Sequence, residues 1–487
     1  MRTRVLLITP PYHSGVVETA GRWPNVGLVY VAGALRDAGY EPFFYDAMAR
    51  HDDYAAIEAR MRQVEPDVVA TTAFTACVPE AVETLRLARR LDPDVVTVVG
   101  GVHPTFMYEE MLTRWPDAVD YVARGEGEVT MVGLMDAING KRPFVDVQGI
   151  AYRDGDQVVA TPKCAMLADL DAVTPAWDLV DWSDYVFYPL PDSALAVVSS
   201  SRGCDEACAF CSQQKFWERS WRGRDAEKVV DELQMLKERY GVEVMMFADE
   251  TPTLDRERWE RILDLLIERD LGLHLLMETR VDDVVRDADI IDKYRAAGVR
   301  HVYVGVEAVD QTTLDRFNKN LDVNLSKKAI DLINGAGMIS ETSFVLGMPE
   351  ETPQSIHNTL ELAKHYDPDL AFFLTIAPWP YADIYEELKP YIVSYDYADY
   401  NLVAPVVKPT QMTTEELMDE IMKCYRSFYM GKLERIDEMT PEKREYFLVT
   451  MKLLMENSYL KQWISGFGKM PELVHAKLAK WGFKVAV

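Results

Sequence analysis

The chain has 487 residues, with 52 lysines and arginines against 79 aspartates and glutamates, for a formal charge of -27. Such a balance gives no electrostatic support to binding nucleic acid or an anionic membrane, while the length allows two or three domains with substantial cores. No apolar run approaches a membrane span, the apolar start Val5 to Ile8 is too short for a signal peptide, and the 6 cysteines are too few for a disulfide framework. The expectation is a cytoplasmic protein.

Over residues 1–145, strand and helix patterns alternate: strand Val5 to Thr9, helix Val26 to Ala38, strand Pro42 to Tyr45, helix Asp53 to Gln63 and strand Val68 to Thr72. Helix Pro79 to Leu91, strand Val95 to Gly100, helix Pro104 to Leu112, strand Tyr121 to Ala123 and helix Glu128 to Ile138 complete the series. This is the pattern of an α/β, flavodoxin-like (Rossmann-type) doubly wound sheet, whose ligands sit at the carboxyl ends of the strands. Those ends carry Pro11-Tyr12-His13, Asp46, Thr72-Ala73-Phe74, Gly100-Gly101-Val102-His103 and Gly125-Glu126-Gly127-Glu128. Paired glycines let backbone approach a large flat ligand, and the absence of a Gly-x-Gly-x-x-Gly fingerprint argues against a nicotinamide cofactor.

Residues 146–194 read as a connector, with a hairpin from Ile150 to Val159 on an Asp-Gly turn and prolines at 162, 175, 189 and 191. Alternation resumes over 195–390, with strands at Leu195 to Ser199, Val244 to Phe247, His274 to Met277, Val302 to Val306, Glu341 to Leu346 and Ala371 to Ile376. Six strands with intervening helices make a partial (β/α)6 TIM barrel, whose strand ends carry the chemistry. Residues 391–487 read as helical: Thr413 and Glu416 form a capping box, an apolar stripe runs Leu417, Ile421, Cys424, Tyr425, Phe428, and further helices lie near Pro441 to Trp463 and Pro471 to Trp481.

The densest chemical signal follows the first barrel strand, where Cys204, Cys208 and Cys211 stand in a Cys-x3-Cys-x2-Cys loop. Three thiolates at this spacing can hold three irons of a 4Fe-4S cluster and leave the fourth open. Two other readings compete. The i, i+4, i+7 spacing could place three small apolar residues on one helical face, although Gly203 favours a loop, and structural zinc usually needs a fourth Cys or His that this neighbourhood lacks.

With Phe210 in the aromatic position, Cys204-x3-Cys208-x-Phe210-Cys211 resembles the radical S-adenosylmethionine (SAM) superfamily. The resemblance implies that the open iron holds SAM. It implies SAM contacts from Phe210, Phe247, Asp249, Glu250 and Glu278, from Arg280 to the carboxylate, from Glu307 to the ribose and from Gly347 beside the adenine. Asp249-Glu250 stands where the family has Gly-Gly-Glu. The loops of residues 1–145 are similar to the cobalamin-binding domain that precedes the barrel in one large subfamily, with Gly100-Gly101-x-His103 and Gly125-Glu126-Gly127-Glu128 carrying the likeness. The implied cobalamin contacts are Pro11, Tyr12, His13, Asp46, Thr72, Phe74, Gly100 to His103 and Gly125 to Glu128. Without Asp-x-His-x-x-Gly, the implied cobalamin is base-off with no axial histidine. His103 either caps the helix that follows it or touches the cofactor, and Tyr12 or His13 is the candidate lower ligand.

The implied reaction is methyl transfer from methylcobalamin to an unactivated sp3 carbon, with Tyr12, Trp379 and Tyr381 as candidate catalytic residues. Pro11 to Gly15, Cys211 to Trp217, Leu314 to Asn318 and Pro378-Trp379-Pro380 resemble the anaerobic magnesium-protoporphyrin monomethyl ester oxidative cyclases over most of residues 1–430. Relatives of those cyclases resemble the enzyme that methylates a glutamine α-carbon in methyl-coenzyme M reductase. The helical tail departs from the cyclases, so the expected partner is that protein or a peptide of it, with a porphyrin as the alternative and a low-potential donor such as ferredoxin supplying electrons. A cobalamin sensor or carrier without catalysis would predict a damaged cysteine motif, which this chain does not have.

Overall fold

The computed structural model describes residues 2–13, 21–190 and 192–457. In the first lobe β1 (Arg4–Thr9), β2 (Glu41–Asp46), β3 (Val68–Thr72), β4 (Val96–Gly100) and β5 (Tyr121–Ala123) are parallel in the order β2-β1-β3-β4-β5. This is the flavodoxin order. Helices α1 (Val26–Asp37), α2 (Tyr54–Val64), α3 (Val78–Leu91), α4 (Val102–Arg114) and α5 (Gly127–Ile138) cover both faces, which explains why the strands are apolar without alternation. Val5 and Leu7 of β1 pack on one face with α1 and α5, while Leu6 and Ile8 pack on the other with α2, α3 and α4.

The hairpin expected in the connector belongs to this sheet. Strand β6 (Ile150–Asp154) pairs antiparallel with β5, and β7 (Gln157–Ala160) follows, giving seven strands that end at residue 160 rather than near 145. Without the hairpin the three-residue β5 would be a bare edge.

The second sheet is an open barrel of six parallel strands in sequence order: β8 (Ala194–Val198), β9 (Val242–Phe247), β10 (His274–Arg280), β11 (Val299–Glu307), β12 (Ile339–Leu346) and β13 (Leu370–Thr375). Outside it lie α6 (Ala226–Tyr240), α7 (Arg256–Arg269), α8 (Leu325–Gly335) and α9 (Pro353–Tyr366). The lobes share a core, because the α1 face of the first sheet and the barrel strands with their outer helices belong to one cluster of buried apolar side chains.

The C-terminal region begins as expected. Helix α10 (Thr414–Glu434) starts on the Thr413/Glu416 capping box and buries Leu417, Ile421, Cys424, Tyr425 and Phe428. It covers the free edge of β13: Tyr425 Oη accepts the Phe373 N–H at 3.1 Å, and Tyr429 Oη bonds both the N–H and the C=O of Ala371. Helix α11 runs Pro441–Asn457; the remainder of the helix expected to Trp463, and the one over Pro471 to Trp481, lie outside the described residues. Among those described, no helix is long and apolar enough to cross a membrane.

Candidate functional site

The cysteine loop leaves β8 through a short antiparallel pair, Ser201–Gly203 with Trp221–Gly223, and is then held by its backbone. Ala209 N donates to Phe317 O at 2.7 Å, Ile384 N donates to Ala209 O at 3.0 Å, and Asn318 Nδ2 donates to Ala207 O at 2.8 Å. Phe210 packs edge-on against Phe317, at 4.9 Å between centroids. Cys204, Cys208 and Cys211 are free and half-buried, and Cys211 Sγ accepts the Gln213 N–H at 3.3 Å. Their thiols do not converge on one point: among the described residues no three His, Cys, Asp or Glu side chains could hold a single ion. A cluster does not require that, since each thiolate takes a different iron.

At the barrel mouth the predicted SAM residues divide. Glu250 borders the space between the lobes and is held by Trp217 Nε1 at 2.6 Å and Gly203 N at 3.1 Å. Glu278 is the one exposed residue of β10. The protein packed around the carboxyl, with the carboxylates of Glu250, Asp249, Glu307 and Glu341, pushes it up to about 8. Glu307 ends β11 in the left-handed region (φ 62) and pairs with buried Lys319 at 3.0 Å, in space that a side chain at Gly305 would fill. Arg280 pairs with Asp282 at 2.9 Å and with Glu206 of the cysteine loop at 3.2 Å.

Three of the residues expected to contact SAM make contacts within the protein. Asp249 is fully buried and accepts from Ser200 N, Ser200 Oγ and Ser201 Oγ, and so fixes the start of the cysteine loop. Phe247 is core, packed edge-on against Trp259. Gly347 (φ 91) makes room for Leu417 of α10, whose Cδ2 lies 3.0 Å from where a Cβ would stand.

Two adjoining cavities lie between the lobes, sharing Asn25, Thr72 and Phe216 as walls. The inner one, about 250 Å3, is floored by Leu7, Ala70, Val98, Val31 and Met131 and rimmed by Gly100, Gly101 and Gly125. Gly125 (φ 79) faces open space, as a ligand cradle requires. The outer one, about 590 Å3, holds Tyr12, Thr72, Phe74, Val102, Trp379 and Tyr381, with Ser212 and Gln213 from just after the cysteines. Phe74 is 42% exposed, unusual for a large apolar ring, and it stands edge-on to buried Tyr12 at 5.2 Å. Pro11 shapes the turn in which Tyr12 N donates to Pro10 O, and His13 stacks on His51 with centroids 4.2 Å apart.

Other loop residues expected to touch cobalamin, His103 aside, line the same two cavities and also bond or pack within the protein. Asp46 accepts from Thr9 Oγ1 at 2.7 Å, Ala49 N at 3.1 Å and Tyr185 Oη at 3.1 Å. Gly101 (φ 98) is needed because a Cβ would strike Ala73 O at 2.6 Å, and Gly127 because one would strike Val31 at 2.8 Å. Glu126 binds Arg202 at 2.8 Å and Arg222 at 2.9 Å, and Glu128 binds Arg202 at 2.7 Å. These guanidiniums hold the Glu126 carboxyl below the usual range despite its burial. The Gly-Glu-Gly-Glu loop is therefore a clamp between the lobes, gripping an arginine two residues before Cys204. His103 is buried and caps no helix; its Nδ1 lies 3.1 Å from Thr75 Oγ1, which in turn lies 3.0 Å from Tyr381 Oη.

Sequence reasoning missed Arg202, Lys319, Thr75 and the apolar floor of the inner cavity. Only Arg202 left a local trace, through its place beside the cysteine motif; the others are ordinary residues in ordinary elements until the fold brings them together.

Residues 12–135 match the B12 binding domain family and residues 198–363 match the Radical SAM superfamily. The anaerobic magnesium-protoporphyrin IX monomethyl ester cyclase of Rubrivivax gelatinosus is 38% identical over 463 residues, covering 94% of this chain and 83% of the relative. An uncharacterized methyltransferase of Pyrococcus horikoshii is 28% identical, covering 88% of this chain and 92% of the relative. Among solved structures, the radical SAM methyltransferase TsrM from Kitasatospora setae, with tryptophan substrate and a SAM analog bound, shares the fold at TM-score 0.69 and 17% identity, covering 93% of this chain and 96% of that one.

Proposed function

Because the chain belongs to the family of B12-binding radical SAM enzymes that includes the anaerobic magnesium-protoporphyrin IX monomethyl ester cyclases, we propose that it is a cobalamin-dependent C-methyltransferase whose substrate carbon is the α-carbon of a glutamine in methyl-coenzyme M reductase. The observation that carries the reading is the outer cavity, where first-lobe loops, the turn after Cys211 and the Trp379–Tyr381 segment face one another. When bound, the 4Fe-4S cluster, SAM and cobalamin supply hydrogen abstraction and a transferable methyl group. Cys204, Cys208 and Cys211 hold the cluster on a loop fixed from the Phe317 and Ile384 backbones. Glu250, with Glu278, Arg280 and Glu307 at the ends of β10 and β11, would serve SAM, and Gly100, Gly125, Thr72 and Phe74, which line the cavities, would serve cobalamin. His103 Nδ1 is engaged by Thr75 at 3.1 Å, so from that loop it is the glycine backbone that would hold a cobalamin. The protein's part is positioning.

For the substrate, the polar lining of the outer cavity is mainly neutral. Asn25, Ser212, Gln213 and Asn401 bring amide and hydroxyl groups, and Arg22 is the one Arg or Lys among the described lining residues. Such a lining complements a carboxamide and a peptide backbone better than the carboxylate of a porphyrin. The 38% identity to a cyclase supports a second reading, oxidative cyclisation of a magnesium-porphyrin ester.

The test is anaerobic incubation of reconstituted protein with SAM, methylcobalamin, a low-potential reductant and a glutamine peptide from methyl-coenzyme M reductase, read by mass spectrometry. A methyl gain on the glutamine with matching 5'-deoxyadenosine and S-adenosylhomocysteine is expected. Deoxyadenosine without methylated peptide, together with conversion of the porphyrin ester in a parallel tube, would replace this reading with the cyclase.

A further inference from the structure

The line His103–Thr75–Tyr381 crosses from one lobe to the other, and heavy-atom distances alone do not say which way its protons run. The surroundings of His103 do. Its side chain is 0% exposed, and burial pulls the imidazole down to about 3, so the ring is neutral and carries one N–H. A proton on Nε2 would sit beside the rings of Tyr381 and Tyr397 with no hydrogen-bond partner among the described residues. An aromatic face returns only a fraction of an ordinary hydrogen bond, and orphaned buried N–H groups are rarer than unfilled acceptors. On Nδ1 the proton is donated to Thr75 Oγ1 at 3.1 Å, and only a lone pair is left unfilled. Thr75 then has its own proton free for Tyr381 Oη at 3.0 Å. The Tyr381 proton is left with no acceptor among the described residues, on the wall of the outer cavity.

We propose that Tyr381 donates a hydrogen bond to an amide carbonyl oxygen of the molecule filling the outer cavity, and that Thr75 and His103 are positioning residues that fix this direction. Two sources carry such an oxygen: the substrate peptide and the carboxamide arms of a corrin. What fills the cavity rests on the function proposed above; the proton direction does not.

The first measurement is NMR of the full chain labelled with 15N-histidine. The expected His103 signal, assigned by its displacement in Thr75→Val, shows the proton on Nδ1 and a bare Nε2; a proton on Nε2 overturns the proposal. The second compares wild type with Tyr381→Phe, which keeps the ring stacked on Phe106, in absorbance titrations with hydroxocobalamin and calorimetric titrations of the loaded protein with the glutamine peptide. A roughly tenfold weaker cobalamin affinity, or about 1.4 kcal/mol, assigns the acceptor to the corrin, and the same loss for peptide alone assigns it to substrate. Unchanged affinity in both titrations overturns the donor role. If methyl transfer to the peptide fails while the NMR and cobalamin results hold, the substrate assignment falls and the role of Tyr381 stands.

Discussion

Glu278 shows how far a single side chain depends on what the fold places around it. In sequence it is one carboxylate between a strand and an arginine; in the barrel it faces three further glutamates and the buried Asp249. The unfolded chain releases this proton near the ordinary value of 4.5, while the folded protein keeps it to about 8, so the native state binds more protons in between. Stability accordingly falls as pH rises through that window and levels off above it. Glu278→Gln should lose less stability across the same window, as read by urea midpoints at several pH values. Parallel pH profiles for the variant and wild type would mean that the carboxyl is solvated and ionised throughout.

At the scale of elements, α10 determines whether the barrel ends in a bare edge. Its capping box and apolar stripe are visible in the sequence, but its partner is not: the tyrosines reach the β13 backbone because the chain returns across the sheet after about forty intervening residues. Tyr429→Phe strands the N–H and C=O of Ala371 in a buried place. The expected loss is about 2 kcal/mol, accompanied by faster hydrogen exchange at the Ala371 amide. Unchanged exchange there would show that α10 packs on β13 without protecting its edge.

Over the whole molecule, the Arg202 clamp makes two lobes into one unit. Its side chain is 11% exposed, between Glu126 at 7% and Glu128 at 5%. Arg202→Ala leaves Glu128 buried without its cation and Glu126 with Arg222 alone, at an expected cost of about 3–5 kcal/mol. Calorimetry of the wild type should give one cooperative transition, and the variant should separate it into two; one transition at the original temperature would locate the coupling in the shared apolar core instead.

The sequence by itself determined the layers and the cluster loop. Periodicity of two and of 3.6 is a local property, so strands, helices and the flavodoxin order could be read from residues near one another, and three cysteines within eight residues carry their spacing without help from the fold. It also placed Tyr12, Phe74, Trp379 and Tyr381 on the loops that line one cavity. Only the tertiary structure decided which charged and glycine residues were free. Glu126, Glu128, Asp46 and Asp249 read as ligand groups because a carboxylate at a strand end looks the same in sequence whether or not the fold gives it an arginine more than seventy residues away, as for Glu126 and Glu128, or hydroxyl and backbone donors, as for Asp46 and Asp249. Gly101 and Gly347 show the same ambiguity, each making room for protein atoms that arrive from elsewhere in the chain. A side chain's commitment is a matter of distance, and distance between remote segments is set by the core that folds them together.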